Sequence, residues 1–125
     1  MRFVVVDNDQ ARLQEVTGLL LTAFRGSTIH QYIDPMLSAK CVLEHEVDAV
    51  FASARMVRVD GVTLLHVLRA NLPELPVFLL ADNDDHREAA MAEGASGYLR
   101  RPVTAEALRD ALMELLDCPA KAAGG

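Results

Sequence analysis

Three places in the sequence set polar or charged side chains directly after a short apolar run. Asp7-Asn8-Asp9 follows Arg2-Phe3-Val4-Val5-Val6, Ser53 follows Ala49-Val50-Phe51-Ala52, and Arg100-Arg101 follows Tyr98-Leu99. In a parallel α/β domain the C-terminal ends of the strands are where ligands and chemistry gather. Carboxylates, a hydroxyl and a guanidinium so placed raise two readings, nucleotide binding and serine hydrolysis. Nucleotide binding fails at the first turn. Asp7-Asn8-Asp9-Gln10 has no glycine and would repel phosphate, where a GxGxxG or P-loop turn would cradle it. Serine hydrolysis fails as well. Ser53 stands in Ala52-Ser53-Ala54 rather than GxSxG, and no histidine is placed as an obvious base.

Metal chemistry by soft ligands is also excluded. His30, His45, His66 and His86 are scattered, and Cys41 and Cys118 have no CxxC spacing, so no zinc site is expected. Two unpaired thiols in a reducing compartment are the expected state. Asp82-Asn83-Asp84-Asp85 reads as a solvated acidic loop with helix-capping aspartates rather than a cation site.

The elements that must position these residues follow from periodicity. Arg2 to Val6 and Val77 to Leu80 are apolar runs that suit strands buried on both faces. Ala49 to Ala52 and Tyr98-Leu99 are shorter runs of the same kind. Thr28 to Ile33 is weaker, with polar neighbours around Ile29, and is expected toward an edge. Asp9 can cap a first helix with Leu13, Val16, Leu20 and Ala23 on one face. Asp34-Pro35 opens a second helix, continued by Met36, Ala39 and Leu43 to about His45. Asp60-Gly61 starts a third, with Leu64, Val67 and Leu68 inward. A short fourth helix stops at Gly94, and Pro102 and Thr104 open a last one with Leu108, Leu112 and Leu115 on one face. Strand and helix thus alternate five times. That order predicts an α/β fold: a five-stranded parallel sheet with helices on both faces, a flavodoxin-like (βα)5 sandwich.

A chain of 125 residues, 51% hydrophobic, has the length for one core. One domain over 1–117 is expected, with 118–125 as a flexible, small-residue tail. There is no apolar run of transmembrane length and no signal-peptide pattern, so the expected location is the cytoplasm, with no membrane contact. The formal net charge is −6 and no basic stretch could track a phosphate backbone, which argues against nucleic-acid binding by this chain alone.

In this order and spacing, "FVVVDND", "VDAVFASARMVRVDG", "LPVFLLAD" and "GASGYLRRPVTAEAL" resemble the receiver domain of two-component response regulators, the CheY-like fold, over about residues 2 to 116. The flavour is closest to receivers that precede LytTR-type DNA-binding domains. By that resemblance Asp7 and Asn8 stand at the acidic, metal-holding pair, and Asp9 follows them. Ser53 stands at the phosphoacceptor aspartate, Ala81 at the signalling hydroxyl, Tyr98 at the switch aromatic and Arg101 at the lysine. Val57 replaces the loop proline, whereas Asp60-Gly61, Tyr98 and Pro102 match. A cis bond before Pro102 is implied by the resemblance alone.

The resemblance therefore implies a degenerate, or pseudo-receiver, site. An acyl phosphate needs a carboxylate nucleophile and a divalent cation among hard oxygen ligands. Here an amide and a hydroxyl replace two of the carboxylates, so no cofactor is expected and magnesium binding should be weak or absent. Arg101 could pair with Asp7 or Asp9 and do part of a metal's electrostatic work, or it could extend into solvent beside Arg100. Tyr98, without a hydroxyl at Ala81, is expected in one rotamer. The expected function is a phosphorylation-independent signalling and protein-interaction module, not an enzyme. By resemblance it would contact a protein partner or a second copy through the fourth helix, fifth strand and fifth helix. Two alternatives stay open: a receiver still phosphorylated on Ser53 or Asp7, and the input half of a transcription regulator.

Overall fold

The computed structural model describes residues 1–116. The expected tail 118–125, with Cys118, and residue 117 at the end of the expected domain lie outside the described residues. The elements alternate throughout: β1 (Arg2–Val6), α1 (Gln10–Ala23), β2 (Thr28–Tyr32), α2 (Pro35–Glu44), β3 (Ala49–Ser53), α3 (Gly61–Asn71), β4 (Val77–Ala81), α4 (Arg87–Ala92), β5 (Gly97–Arg100) and α5 (Ala105–Leu116). All pairings are parallel and the sheet order is β2-β1-β3-β4-β5. This is the flavodoxin-like arrangement expected from the alternation, with β2 at an edge.

Side-chain alternation divides the core in two. On one face Val4, Val6, Val50, Ala52 and Leu79 pack with Ala39, Val42, Leu64 and Leu68 from α2 and α3. On the other, Phe3, Val5, Phe51, Phe78 and Leu80 pack with Leu13, Val16, Leu20, Leu108 and Leu112 from α1 and α5. Three phenylalanines on adjacent strands form a continuous row: Phe3 meets Phe51 edge-on at 5.8 Å, and Phe51 stacks on Phe78 at 5.2 Å. Gly97 is required beside that row, because a Cβ there would lie 2.8 Å from the Phe78 ring.

Several boundaries differ from the sequence pattern. Ser53 and Ala81 are strand residues, because the ladder runs on to pair Ser53 with Leu80 and Ala81 with Arg100. Ile33 falls outside β2 and is exposed. On α3 the fully buried partner of Leu64 and Leu68 is Leu65; Val67 is half-buried. On α2 the buried stripe is Pro35, Ser38, Ala39 and Val42, which leaves Met36 and Leu43 outward. The acidic loop caps nothing: His86 occupies the N-cap of α4 without a side-chain bond, and Asp84 pairs instead with Arg87 at 3.0 Å and Arg100 at 3.6 Å.

Candidate pocket at the strand ends

The parallel register brings the ends of β1, β3, β4 and β5 together, so Asp7, Ser53, Ala81 and Arg101 converge from residues far apart in sequence. Asp7 is buried, and its Oδ1 accepts the Asp9 backbone N–H at 2.9 Å. Its Oδ2 accepts from Arg101 Nη2 at 3.0 Å, in a pair whose side chains are only 9% and 6% exposed. Arg101 is thus inward, and its partner is Asp7. Asp9 serves elsewhere, capping α1 through the Ala11 and Arg12 N–H groups. The Arg101 backbone N–H donates to the Ala81 carbonyl at 2.7 Å, which fixes where the side chain enters. Arg101 Nη1 is buried and has no hydrogen-bond partner among the described residues.

Desolvation dominates both members of this pair. Burial raises the Asp7 carboxyl above its ordinary value, outweighing the Asp9 N–H and the Arg101 charge that pull it down. Burial likewise lowers Arg101, against the opposing pull of Asp7. A guanidinium stays charged through such a shift.

Asn8 does a different job. Its Nδ2 donates to the Ile33 carbonyl at 2.6 Å, while its Oδ1 accepts the Val57 backbone N–H. A carboxylate could accept the second bond but could not donate the first. Ser53 is buried, and its hydroxyl donates to the Arg55 carbonyl at 3.0 Å. Gly61 lets α3 start against this strand end: a Cβ there would lie 2.3 Å from the Ser53 carbonyl oxygen. Asp60 caps α3 through the Thr63 N–H at 2.8 Å. The Asp7, Asn8 and Ser53 side chains at the ends of β1 and β3 thus each make hydrogen bonds within the protein. Among the described residues no group of three or more His, Cys, Asp or Glu side chains is placed to hold a metal ion. Magnesium is usually held by one or two carboxylates together with its own waters, and here the buried carboxylate of the pocket, Asp7, is paired with Arg101.

A cleft of about 500 Å³ opens in front of Ser53, Ala81 and Arg101, flanked by Arg12 and Asp82. Arg12 Nη1 meets Asp82 Oδ2 at 2.8 Å and bridges α1 to the loop after β4. His86 lines the same cleft, but no hydrogen bond joins it to Ser53. Ala81 is buried without a polar group to offer. Tyr98 is turned inward: its hydroxyl donates to the Asn83 carbonyl at 2.8 Å, and Arg87 lies 4.9 Å over its ring. The bond before Pro102 is cis. Sequence reasoning missed the Asn8 clasp and the Arg12–Asp82 bridge. The clasp had one signal, an amide able to donate and accept at once; the bridge had none, because its partners meet only through the fold.

A parallel five-stranded sandwich with a polar pocket across β1, β3, β4 and β5 defines a CheY-like α/β domain. The chain belongs to the response regulator receiver domain family, whose model matches residues 3–113. Response regulator MprA of Mycobacterium ulcerans is 29% identical over 118 residues, covering 93% of this chain and 50% of that protein. MprA of Mycobacterium leprae is also 29% identical. The chain spans about half the length of the curated relatives it matches. A response regulator receiver domain protein from Clostridium thermocellum superposes with a TM-score of 0.84 at 27% identity, covering 93% of this chain and 94% of that one. The receiver domain of sensor histidine kinase PA1611 from Pseudomonas aeruginosa, solved with magnesium in its active-site cleft, shares the fold at a TM-score of 0.83 and 19% identity, covering 94% and 98%. Receiver domains are signalling modules. No helix of the described residues is long and apolar enough to cross a membrane.

Proposed function

We propose that this chain is a pseudo-receiver: it signals by protein contact and takes no phosphoryl group. The observation that carries this reading is the state of the pocket. Ser53 stands at the tip of β3 with its hydroxyl bonded to Arg55, and Asp7 is closed off by Arg101. A neutral hydroxyl with no base bonded to it is a poor nucleophile, and Arg101 supplies in place the positive charge that a bound cation would bring. Magnesium binding is then weak or absent, and the domain works without turnover. Tyr98, held inward by Asn83 and Arg87, would keep the α4–β5 face in one state. By family resemblance α4, β5 and α5 form a contact face for a partner or a second copy.

A second reading concerns the larger protein. Because the chain matches only half of the MprA relatives, it can be the input domain of a two-part regulator, with the pocket acting as a fixed rather than a switched input. The LytTR flavour of the sequence would then point to transcription control.

Incubation with acetyl phosphate and magnesium, followed by intact mass, tests the proposal. Unchanged mass is expected for the native chain. The variant Asn8→Asp/Ser53→Asp/Arg101→Lys restores the two carboxylates and the lysine and is expected to gain one phosphoryl mass. A phosphoryl adduct on the native chain, mapped to Ser53 or Asp7, overturns the reading.

A further inference from the structure

Nine large apolar side chains stand exposed among the described residues, and five of them, Ile33, Met36, Leu37, Leu43 and Val57, belong to α2 or the loops beside it. Helical spacing puts Met36, Lys40 and Leu43 on one outward stripe that adjoins the face burying Ala39 and Val42. The apolar surface of α2 therefore extends past its buried face into solvent, which a helix facing only water has no reason to do.

Val57 is the most exposed of the nine, at 70%. Its position is built. The Val59 N–H donates to the Val57 carbonyl at 2.9 Å, closing a three-residue turn about Arg58 at φ 73°. A non-glycine residue in that conformation is strained, and such strain gathers at working surfaces. The Asn8 side chain then ties this turn to Ile33, one bond to each. The result is a groove of about 430 Å³ whose lining includes the apolar Ile33, Met36 and Val57, the amide of Asn8, and one charge of each sign, Asp34 and Arg58.

Charge says what would cover it. Arg58 lines the groove and Lys40 stands one helical turn on from Met36; both are exposed and make no ion pair among the described residues. The nearby Asp34 carboxylate is held by the Met36 N–H as the cap of α2. Two unpaired cations beside an apolar groove complement an apolar stripe flanked by carboxylates.

We propose that the groove between α2 and the Arg58 turn docks an acidic amphipathic helix of a partner protein, with Asn8 holding its two walls together. This rests on the contact-based function above and adds a second face to it, remote from α4 and β5. The test is a display library of helical peptides of about 18 residues, long enough to hold a helix, selected on the native chain. Enriched peptides are expected to carry apolar residues at i, i+3 and i+4 spacing with flanking Asp or Glu. Their affinity should fall about tenfold or more in Val57→Glu and in Arg58→Glu. Both residues are exposed, and an unchanged thermal midpoint would show that each variant folds. Amide shifts should map to residues 33–43 and 57–59. Selection of nothing, of basic peptides, or of peptides indifferent to both variants overturns the proposal. So does sedimentation as a dimer that Val57→Glu dissociates, since the occupant would then be a second copy. The selection reads contact at this groove alone, so its failure leaves the phosphoryl measurement standing.

Discussion

Asp7 and Asn8 are adjacent in the chain, yet they anchor two different kinds of region. Around Asp7 the pocket is dry and charged: a carboxylate and a guanidinium face each other with more than nine-tenths of each side chain buried. Around Asn8 it is neutral and open to the surface: an amide joins two loops through one donated and one accepted bond. A receiver that holds a divalent cation needs both positions to offer free oxygen. Here one position is neutralised by an internal cation and the other is turned into a structural clasp. Two neighbouring residues thus show two distinct physical solutions side by side, one expensive in desolvation and one inexpensive.

The sharpest way to break this contrast is to remove one ion of the dry half. Arg101→Met leaves Asp7 buried without its partner and should lower stability by about 3–5 kcal/mol. Removing both charges, in Asp7→Asn/Arg101→Met, should return to within about 1 kcal/mol of the native chain, because a buried pair adds little net stability. Urea unfolding of the single and double variants measures both, and equal losses in the two would mean that the pair is not the unit.

A weaker effect of the same half appears on titration. Burial raises Asp7 above its ordinary value of 3.8, so the folded chain binds more protons than the unfolded chain between 3.8 and the raised value. Stability through Asp7 is then fully present below 3.8 and is lost as pH rises through that window. Native stability relative to Asp7→Asn should therefore decline as pH rises above 3.8 and level off once Asp7 is ionised. A rise over the same range in urea midpoints would mean that Arg101 depresses Asp7 instead.

The neutral half should respond less. Asn8→Asp loses the donor to Ile33 and should cost about 1 kcal/mol by thermal unfolding. On its own it should not bring magnesium binding, because Ser53 and Arg101 remain. Smallest of all, Arg12→Ala removes an exposed bridge to Asp82 and should change stability by about 0.5 kcal/mol or less; a larger loss would show that this bridge braces the pocket.

The fold was legible because its strands are short apolar runs separated by helical patterns, and β2 at the edge showed as the one strand with polar alternation. Arg101 facing an acid was legible as one of two options, since a permanent cation near Asp7 and Asp9 has few other partners. Which acid it meets was settled by geometry: Asp9 is held at the first turn of α1. The clasp of Asn8 was hidden because its partners are backbone groups of Ile33 and Val57, which carry no side-chain signature. The outward stripe of α2 was hidden for a similar reason. Ser38 is buried by bonding its hydroxyl to the Pro35 carbonyl, so a polar residue holds the inner face and displaces Met36 and Leu43 to the outer one.

The central claim is that the ends of β1 and β3 cannot assemble a metal-assisted phosphoryl site. Its most direct test is an amide NMR titration of the native chain with magnesium, then with magnesium and fluoroberyllate, read at Asp7, Asn8, Ser53 and Ala81. The expected result is no saturable shift at these four positions in either step. Saturable magnesium shifts there, or a second set of peaks on adding fluoroberyllate, would contradict it.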